Sequence, residues 1–158
     1  MTSNEETEEK FELQPSELEE KTHAEMLMMY EEAANSIRFA KGMQWKTLGI
    51  GMLVIIGLLI FGEYVAPRVK TLVPVTIIAS CVVTAGTIYI LLVFQLLQNM
   101  ERQKLRAIGA EMSNLFRLVR SLRMPLEAAF HRYTLLIFMG IGLVGTCAFA
   151  ISLLSRHL

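Results

Sequence analysis

Three long apolar runs dominate the chain after its polar first quarter. They cover residues 48–66, 72–97 and 133–154, and Glu63 is the only charged residue within them. An α-helix needs roughly 20 apolar residues to cross the ~30 Å hydrocarbon core of a bilayer. The pattern therefore predicts an all-α integral membrane protein with three transmembrane helices at these positions.

The polar segments between the runs predict how the helices are connected. Residues 67–71 allow only a short outer turn, so the first two spans should form an antiparallel hairpin. Residues 16–47 predict a cytoplasmic helix that leads into the first span, because Ser16 and Glu19 match a capping box. The glutamate-rich residues 1–15 predict a disordered acidic tail.

Residues 98–124 predict a basic heptad helix that extends the second span into the cytoplasm. Its apolar positions recur every three or four residues, as in a coiled coil: Leu105, Ile108, Met112, Leu115, Val119 and Leu122. The helix before the first span carries a weaker seam of the same kind: Met26, Tyr30, Ala33, Ile37 and Ala40. Pro125 ends the stronger pattern, and residues 125–132 predict a linker or the start of the third helix.

The two seams have more than one interpretation. They could bury each other, or part of the stripe could stay open for a partner or for a second copy of the chain. A third interpretation is a basic amphipathic helix on anionic lipid, with a break at Gly109.

The third span has a stripe of small residues at Gly142, Thr146 and Ala150. Such residues let membrane helices approach closely. The predicted interaction face combines this stripe with the stronger seam, and comprises Leu105, Ile108, Met112, Leu115, Val119, Leu122, Gly142, Thr146 and Ala150.

Basic residues predict the orientation. They are concentrated before the first span and between residues 99 and 132, whereas the 67–71 turn has only Arg68 and Lys70. Lys and Arg favour the cytoplasmic side. We therefore expect the N-terminus in the cytoplasm and the C-terminus outside. Compact loops and the lack of a targeting peptide favour a bacterial inner membrane.

Charge and motifs add little chemistry. The net charge is zero, and Cys81 and Cys147 fall in apolar runs, where small buried residues are expected. Phosphate loops, nucleophile elbows, HExxH and CxxC motifs are absent from the sequence. We expect no enzyme activity, no cofactor, no metal, no nucleic acid and no small-molecule substrate. The expected partners are the lipid bilayer and other membrane subunits or copies of the chain.

Three polar features of the sequence are candidate functional sites. The segment from His23 to Met29 contains the soft ligands that Cu(I) prefers, His131 lies where a haem ligand could lie, and Glu63 is ionisable at membrane depth. Each also has a simpler structural interpretation. The methionines after His23 favour helix formation, His131 is an interfacial histidine, and Glu63 is a glutamate that reaches water.

These observations favour a non-catalytic accessory or scaffolding subunit of a larger membrane complex. The alternative is a self-assembling pore or channel-like effector. In layout, residues 24–122 resemble small two-span bacterial effectors such as the SLATT domains, a resemblance of architecture without matched signature residues. The third span departs from it. A small transporter or a cytochrome-like subunit is a further alternative.

Overall fold

The structure is a computed structural model that describes residues 19–65, 68–69, 71–113, 116, 118 and 125–157. Three helices account for most of them: α1 (Glu20–Val65), α2 (Leu72–Glu111) and α3 (Pro125–Leu154). A short 3-10 turn, Ser155–His157, follows α3. No strand occurs within the described residues. Each helix is long and apolar enough to cross a membrane, which indicates a membrane location.

Two of the helices are much longer than a bilayer requires. At 1.5 Å per residue, the 46 residues of α1 and the 40 residues of α2 extend for about 69 Å and about 60 Å. The hydrocarbon core is only about 30 Å thick. Pro74 does not interrupt α2, because it lies in the first turn, where a backbone N–H has no partner within the helix.

The most extensive contact in the fold joins α1 and α2. Gly51 lies against Thr87, Gln44 is hydrogen-bonded to Gln98, and Tyr30 stacks edge-on against Phe116. Along these three contacts, residue numbers rise on α2 and beyond as they fall on α1. The buried positions of α2 recur mostly every three or four residues from one end to the other: Val73, Thr76, Ser80, Thr84, Thr87, Leu91, Gln95, Gln98, Glu101, Leu105 and Ile108.

Small residues set the closest approaches between the helices. A side-chain carbon at Gly51 would lie 2.8 Å from both Cγ2 and Oγ1 of Thr87. At Gly62 it would overlap Cδ2 of Leu154 on α3. At Gly51 the neighbour is the short, branched side chain of Thr87, which has little freedom to move away. At Gly62 it is the flexible end of Leu154, which could shift to make room for a Cβ. Gly49 and Gly57, by contrast, face open space.

The third helix closes the apolar core against the other two. Met139, Leu143, Cys147 and Ala150 of α3 pack with Leu48, Ile55 and Leu91. A smaller cluster joins Val73 to Leu154 at the far end. Lipid tails are as apolar as these side chains, so close van der Waals packing holds α3 against the other two helices within the membrane.

The helix predicted over residues 98–124 lies only partly within the described residues. The described part of α2 ends at Glu111, and Met112 has extended backbone angles. The hydroxyl of Ser113 accepts a hydrogen bond from the N–H of Phe116, which is the arrangement of an N-cap.

Candidate functional site

The residues of the predicted interaction face fall into separate places. Leu105, Ile108 and Met112 are buried along the inward side of α2 and just beyond its end. Leu115, Val119 and Leu122 lie outside the described residues, as does the tail of residues 1–15. The three described side chains are covered by the chain itself, and whether the face binds a partner stays a prediction.

The small stripe of α3 lies at a different level of the fold. A carbon at Gly142 would lie 3.6 Å from Cε of Met52, Thr146 donates its hydroxyl proton to the carbonyl oxygen of Gly142, and Ala150 belongs to the core. Met52 lies beside the stripe, whereas Tyr30 of α1 contacts Phe116, just beyond the described part of the seam. Met52 and Tyr30 are 22 residues apart, or about 33 Å along a helix. The two halves of the predicted face are therefore not continuous.

A cluster of side-chain amides joins α1 to α2 where the predicted spans end. Nε2 of Gln98 donates to Oε1 of Gln44 at 2.8 Å, and Nε2 of Gln44 donates to the Leu91 carbonyl oxygen at 3.2 Å. Gln44 also approaches Oε1 of Gln95 at 3.4 Å. All three glutamines are buried. We call Gln44, Gln95 and Gln98 the amide cluster.

Weaker hydrogen bonds connect the amide cluster to α3. Gln95 donates to Oδ1 of Asn99 at 3.4 Å, and Asn99 donates to the hydroxyl of Tyr133 at 3.4 Å. Bonds of this length are weaker than those at 2.7–3.2 Å. Buried polar groups that satisfy one another fix the relative positions of the helices that carry them. The buried amides align α1 with α2, and the exposed bond between Asn99 and Tyr133 joins α3 to them at the same level.

A cavity opens directly beside the amide cluster, between the three helices. Its volume is about 40 Å³, and its described lining combines cations, amides and an apolar side: Lys41, Gln44, Gln95, Gln98, Arg102, Arg132, Leu135, Leu136 and Met139. Each helix contributes one cation, and no acid occurs among these lining residues. We call it the three-helix cavity.

A second concavity lies on the exposed side of α1. This shallow groove of about 620 Å³ is lined by Met28, Glu31, Glu32, Asn35, Ser36, Phe39 and Leu97. Met28 and Phe39 are 66% and 64% exposed. We call it the α1 groove. It combines an apolar floor with two carboxylates.

The polar features singled out in the sequence lie at separate places along the chain. Met28 and Met29 are exposed on α1, and Met26 is half-buried. Within the described residues, no group of three or more His, Cys, Asp or Glu could hold a metal ion. Glu63 is half-buried near the end of α1, and the side chain of His131 lies outside the described part of the chain. Cys147 is buried in the core, whereas Cys81 is exposed on the outer face of α2, contrary to the burial expected for it.

Sequence reasoning missed the amide cluster and the three-helix cavity. A usable signal was present: Gln44 precedes the first apolar run by one turn, Gln95 lies in the last turn of the second, and Gln98 follows it immediately. In an antiparallel pair these positions fall at the same depth. The arrangement of Lys41, Arg102 and Arg132 around one space had no such signal, because it depends on how α3 packs.

The chain was compared with models of known protein families, with curated proteins and with solved structures, and it matches none of them.

Proposed function

We propose that the chain is a non-catalytic accessory or scaffolding subunit, which docks onto or organises a larger membrane complex. In this proposal α1 and α2 form an antiparallel helical hairpin whose ends extend into the cytoplasm. The transmembrane helices hold the subunit beside its neighbours, and the cytoplasmic part of α1 provides a docking surface.

The observation that carries the proposal is the α1 groove. Its apolar end at Met28 lies beyond the reach of lipid, whereas its other end reaches Leu97, the last residue of the second apolar run. Met28 precedes Leu48, the first residue of the apolar run, by 20 residues. That distance is about 30 Å along a helix. The headgroup region of one leaflet adds only about 5–8 Å to the hydrocarbon core. Exposed apolar patches outside the bilayer usually mark protein interaction sites.

The chemistry of the groove favours a particular kind of partner. Glu31 and Glu32 flank the apolar side chains Met28 and Phe39. A complementary surface would insert an apolar side chain and place Lys or Arg beside the carboxylates, since complementary charges across an interface favour the correct partner.

The spans support the same proposal. Of the 18 residues that form the most apolar stretch of α1, only 17% are buried inside the chain. The fraction is 22% in the corresponding stretches of α2 and α3. Most of the surface of each span therefore faces outward, towards lipid or the helices of another subunit. Exposed Leu53, Phe61 and Phe138 belong to this surface.

The proposal is tested by extracting the full chain mildly from its own membrane and measuring its native mass, with mass spectrometry of copurifying proteins. We expect an assembly that contains other membrane subunits. Met28→Glu should release these subunits, because it places a charge in the groove beside two carboxylates. Met29→Glu is the matched control, since Met29 is also exposed on α1 but does not line the groove.

The outcomes separate the candidate functions. Loss of the partners in both variants would show that the groove is not the specific site, while the accessory role would stand. A chain that is reproducibly free of other proteins would contradict the accessory role. A ring of this chain alone would favour the alternative, a self-assembling pore.

One observation favours that alternative. Thr76, Ser80, Thr84 and Thr87 place four hydroxyls on one side of α2 within its span. However, they are buried inside the chain, and each donates to the carbonyl oxygen four residues earlier, at 2.7–2.9 Å. A pore lined by them would require the helices to separate. Conductance in planar bilayers tests this function, and its absence at oligomeric concentrations would exclude it.

We further propose the orientation implied by the basic residues, in a bacterial inner membrane. The N-terminal end of α1 and the C-terminal end of α2 would lie in the cytoplasm, and the C-terminal end of α3 outside. The exposed positions of Trp45, Tyr133 and Tyr64 support the positions of the span ends, because such rings are favoured at both bilayer interfaces. The orientation itself rests on the Lys and Arg distribution.

A further inference from the structure

The hydroxyl of Tyr89 points out of the protein from within the second span. The side chain is 68% exposed, so it faces the surroundings of the chain rather than α1 or α3. Within the part of the chain that the structure describes, this hydroxyl has no hydrogen bond. Tyrosine hydroxyls that are removed from water usually have a hydrogen-bond partner. The partner of Tyr89 therefore has to come from outside the chain.

Threonine hydroxyls in the same spans are satisfied differently. Those of Thr84, Thr87 and Thr146 donate to the carbonyl oxygen four residues earlier at 2.7–2.8 Å. A threonine can do this because its hydroxyl is carried on Cβ, close to the backbone of its own helix. The ring of Tyr89 holds its hydroxyl too far from that backbone, so local bonding is not open to it.

The depth of Tyr89 also keeps its hydroxyl from water. Tyr89 lies eight residues before Leu97 and 17 residues after Leu72, which are the two ends of the apolar run. These separations are about 12 Å and about 26 Å along a helix. Side chains on a helix lean towards its N-terminus, so the hydroxyl is directed away from the nearer end. It therefore lies near the middle of the bilayer, where lipid offers only hydrocarbon.

The surface around Tyr89 leaves room for another helix. Val82 and Leu96, each seven residues from Tyr89 on the same side of α2, are exposed. Ala85 is exposed one turn before Tyr89, and nothing lies within 4 Å of a Cβ at Gly86. Small residues at such a place let membrane helices approach closely. We call Val82, Ala85, Gly86, Tyr89 and Leu96 the Tyr89 face.

A second copy of the chain offers what this hydroxyl lacks. Copies of one chain enter the membrane in one orientation, so a two-fold axis between them runs along the membrane normal. Residues near such an axis meet their own counterparts at the same depth. A phenol hydroxyl both donates and accepts a hydrogen bond. Two Tyr89 hydroxyls are thus complementary to each other, whereas another subunit would need a polar side chain at this depth.

We propose that the chain forms a two-fold dimer through the Tyr89 face, in which one Tyr89 hydroxyl donates a hydrogen bond to the other in the middle of the bilayer. Ala85 and Gly86 let the two α2 helices approach, and Val82 and Leu96 pack on either side. The Tyr89 face lies within the membrane and the α1 groove extends beyond it, so the dimer neither requires nor excludes the accessory role.

The test uses the full chain in phosphatidylcholine vesicles, with Cys81→Ala and Cys147→Ala as background. Val82→Cys places a thiol on the Tyr89 face, and copper–phenanthroline oxidises neighbouring thiols to a disulfide. We expect a crosslinked dimer whose yield persists when the protein is diluted tenfold with lipid. Val144→Cys is the matched control. It is the same change at an exposed position of α3, also ten residues from the outer end of its apolar run.

A change at Tyr89 itself tests the hydrogen bond. Tyr89→Phe keeps the ring and removes the hydroxyl, so the dilution series should show a dimer about three- to twentyfold weaker, as expected for one hydrogen bond between membrane helices. Tyr64→Phe is the control, because it removes a hydroxyl from another exposed tyrosine, at the end of α1. It should leave the dimer unchanged.

Three results would overturn the proposal. Crosslinking of Val82→Cys that falls on dilution as steeply as that of Val144→Cys would show only random collisions. Equal dimer strength with and without the Tyr89 hydroxyl would remove the hydrogen bond. In the native membrane, crosslinking of Val82→Cys to a different protein and not to a second copy would assign the Tyr89 face to another subunit.

Discussion

Gln98 on α2 donates a 2.8 Å hydrogen bond to Gln44 on α1, and both side chains are buried at the level where the apolar runs end. A buried amide that loses its partner has no water to replace it, so the two residues depend on each other. The pair therefore fixes the position of α1 relative to α2 along their length. Apolar packing alone would fix this position less strictly, because apolar contacts have no preferred direction.

This dependence predicts a double-mutant cycle with strong coupling. Gln98→Leu should destabilise the fold by about 1–3 kcal/mol, because Oε1 of Gln44 is left without its donor. Gln44→Leu combined with Gln98→Leu should cost clearly less than the sum of the two single changes, since each single change already breaks the bond between the two residues. Equilibrium unfolding in mixed micelles measures all four proteins. Simple additivity would show that the bond contributes nothing to stability.

The contact between Gly51 and Thr87 predicts an effect of a single methyl group. Gly51→Ala places a carbon 2.8 Å from two atoms of Thr87, so α1 and α2 must separate locally at a cost of about 1–3 kcal/mol. Gly49→Ala is the control, because nothing lies within 4 Å of that position. Both variants are measured by the same unfolding assay.

A second change at Thr87 gives this prediction a sharper test. Thr87→Ala removes both atoms that the new methyl group would approach most closely, so adding it to Gly51→Ala should restore much of the lost stability. If Gly51→Ala and Gly49→Ala were equally stable, the close approach of the two helices at this level would be wrong.

The ring contact between Tyr30 and Phe116 predicts that the segment after α2 is held against α1. The ring centroids are 5.5 Å apart and the planes lie at 83°, an edge-to-face pair that contributes about 0.5–1.5 kcal/mol. Phe116→Leu should therefore increase amide hydrogen exchange around Ser113. Tyr30→Leu should have the same effect, and the two together should add little more. Unchanged exchange in both variants would contradict the contact.

The proposed orientation predicts opposite labelling at two exposed sites. In a background with Cys81→Ala and Cys147→Ala, a cysteine replacing Glu25 should react with a membrane-impermeant maleimide only after the cells are opened. A cysteine replacing Arg68 should react in intact cells, because the turn after α1 would face outward. The reverse labelling pattern would show that the proposed orientation is wrong, whereas the assignment of the helices would stand.

The apolar runs by themselves determined the fold class. In lipid, a span of about 20 residues with almost no charge forms a helix, because a helix pairs the backbone N–H and C=O groups within the segment itself. The 3-4 spacing also marks positions that share one side, and its first three members, Leu105, Ile108 and Met112, are buried in the structure. Both are local properties, and periodicity reports local properties directly.

The tertiary structure decided which polar residues belong together. Lys41, Arg102 and Arg132 are far apart in sequence, and each alone looks like an ordinary basic residue beside a membrane span. They meet around one cavity because α3 packs against the two longer helices through Met139 and Leu143. Such features depend on packing between distant segments, which no local pattern specifies.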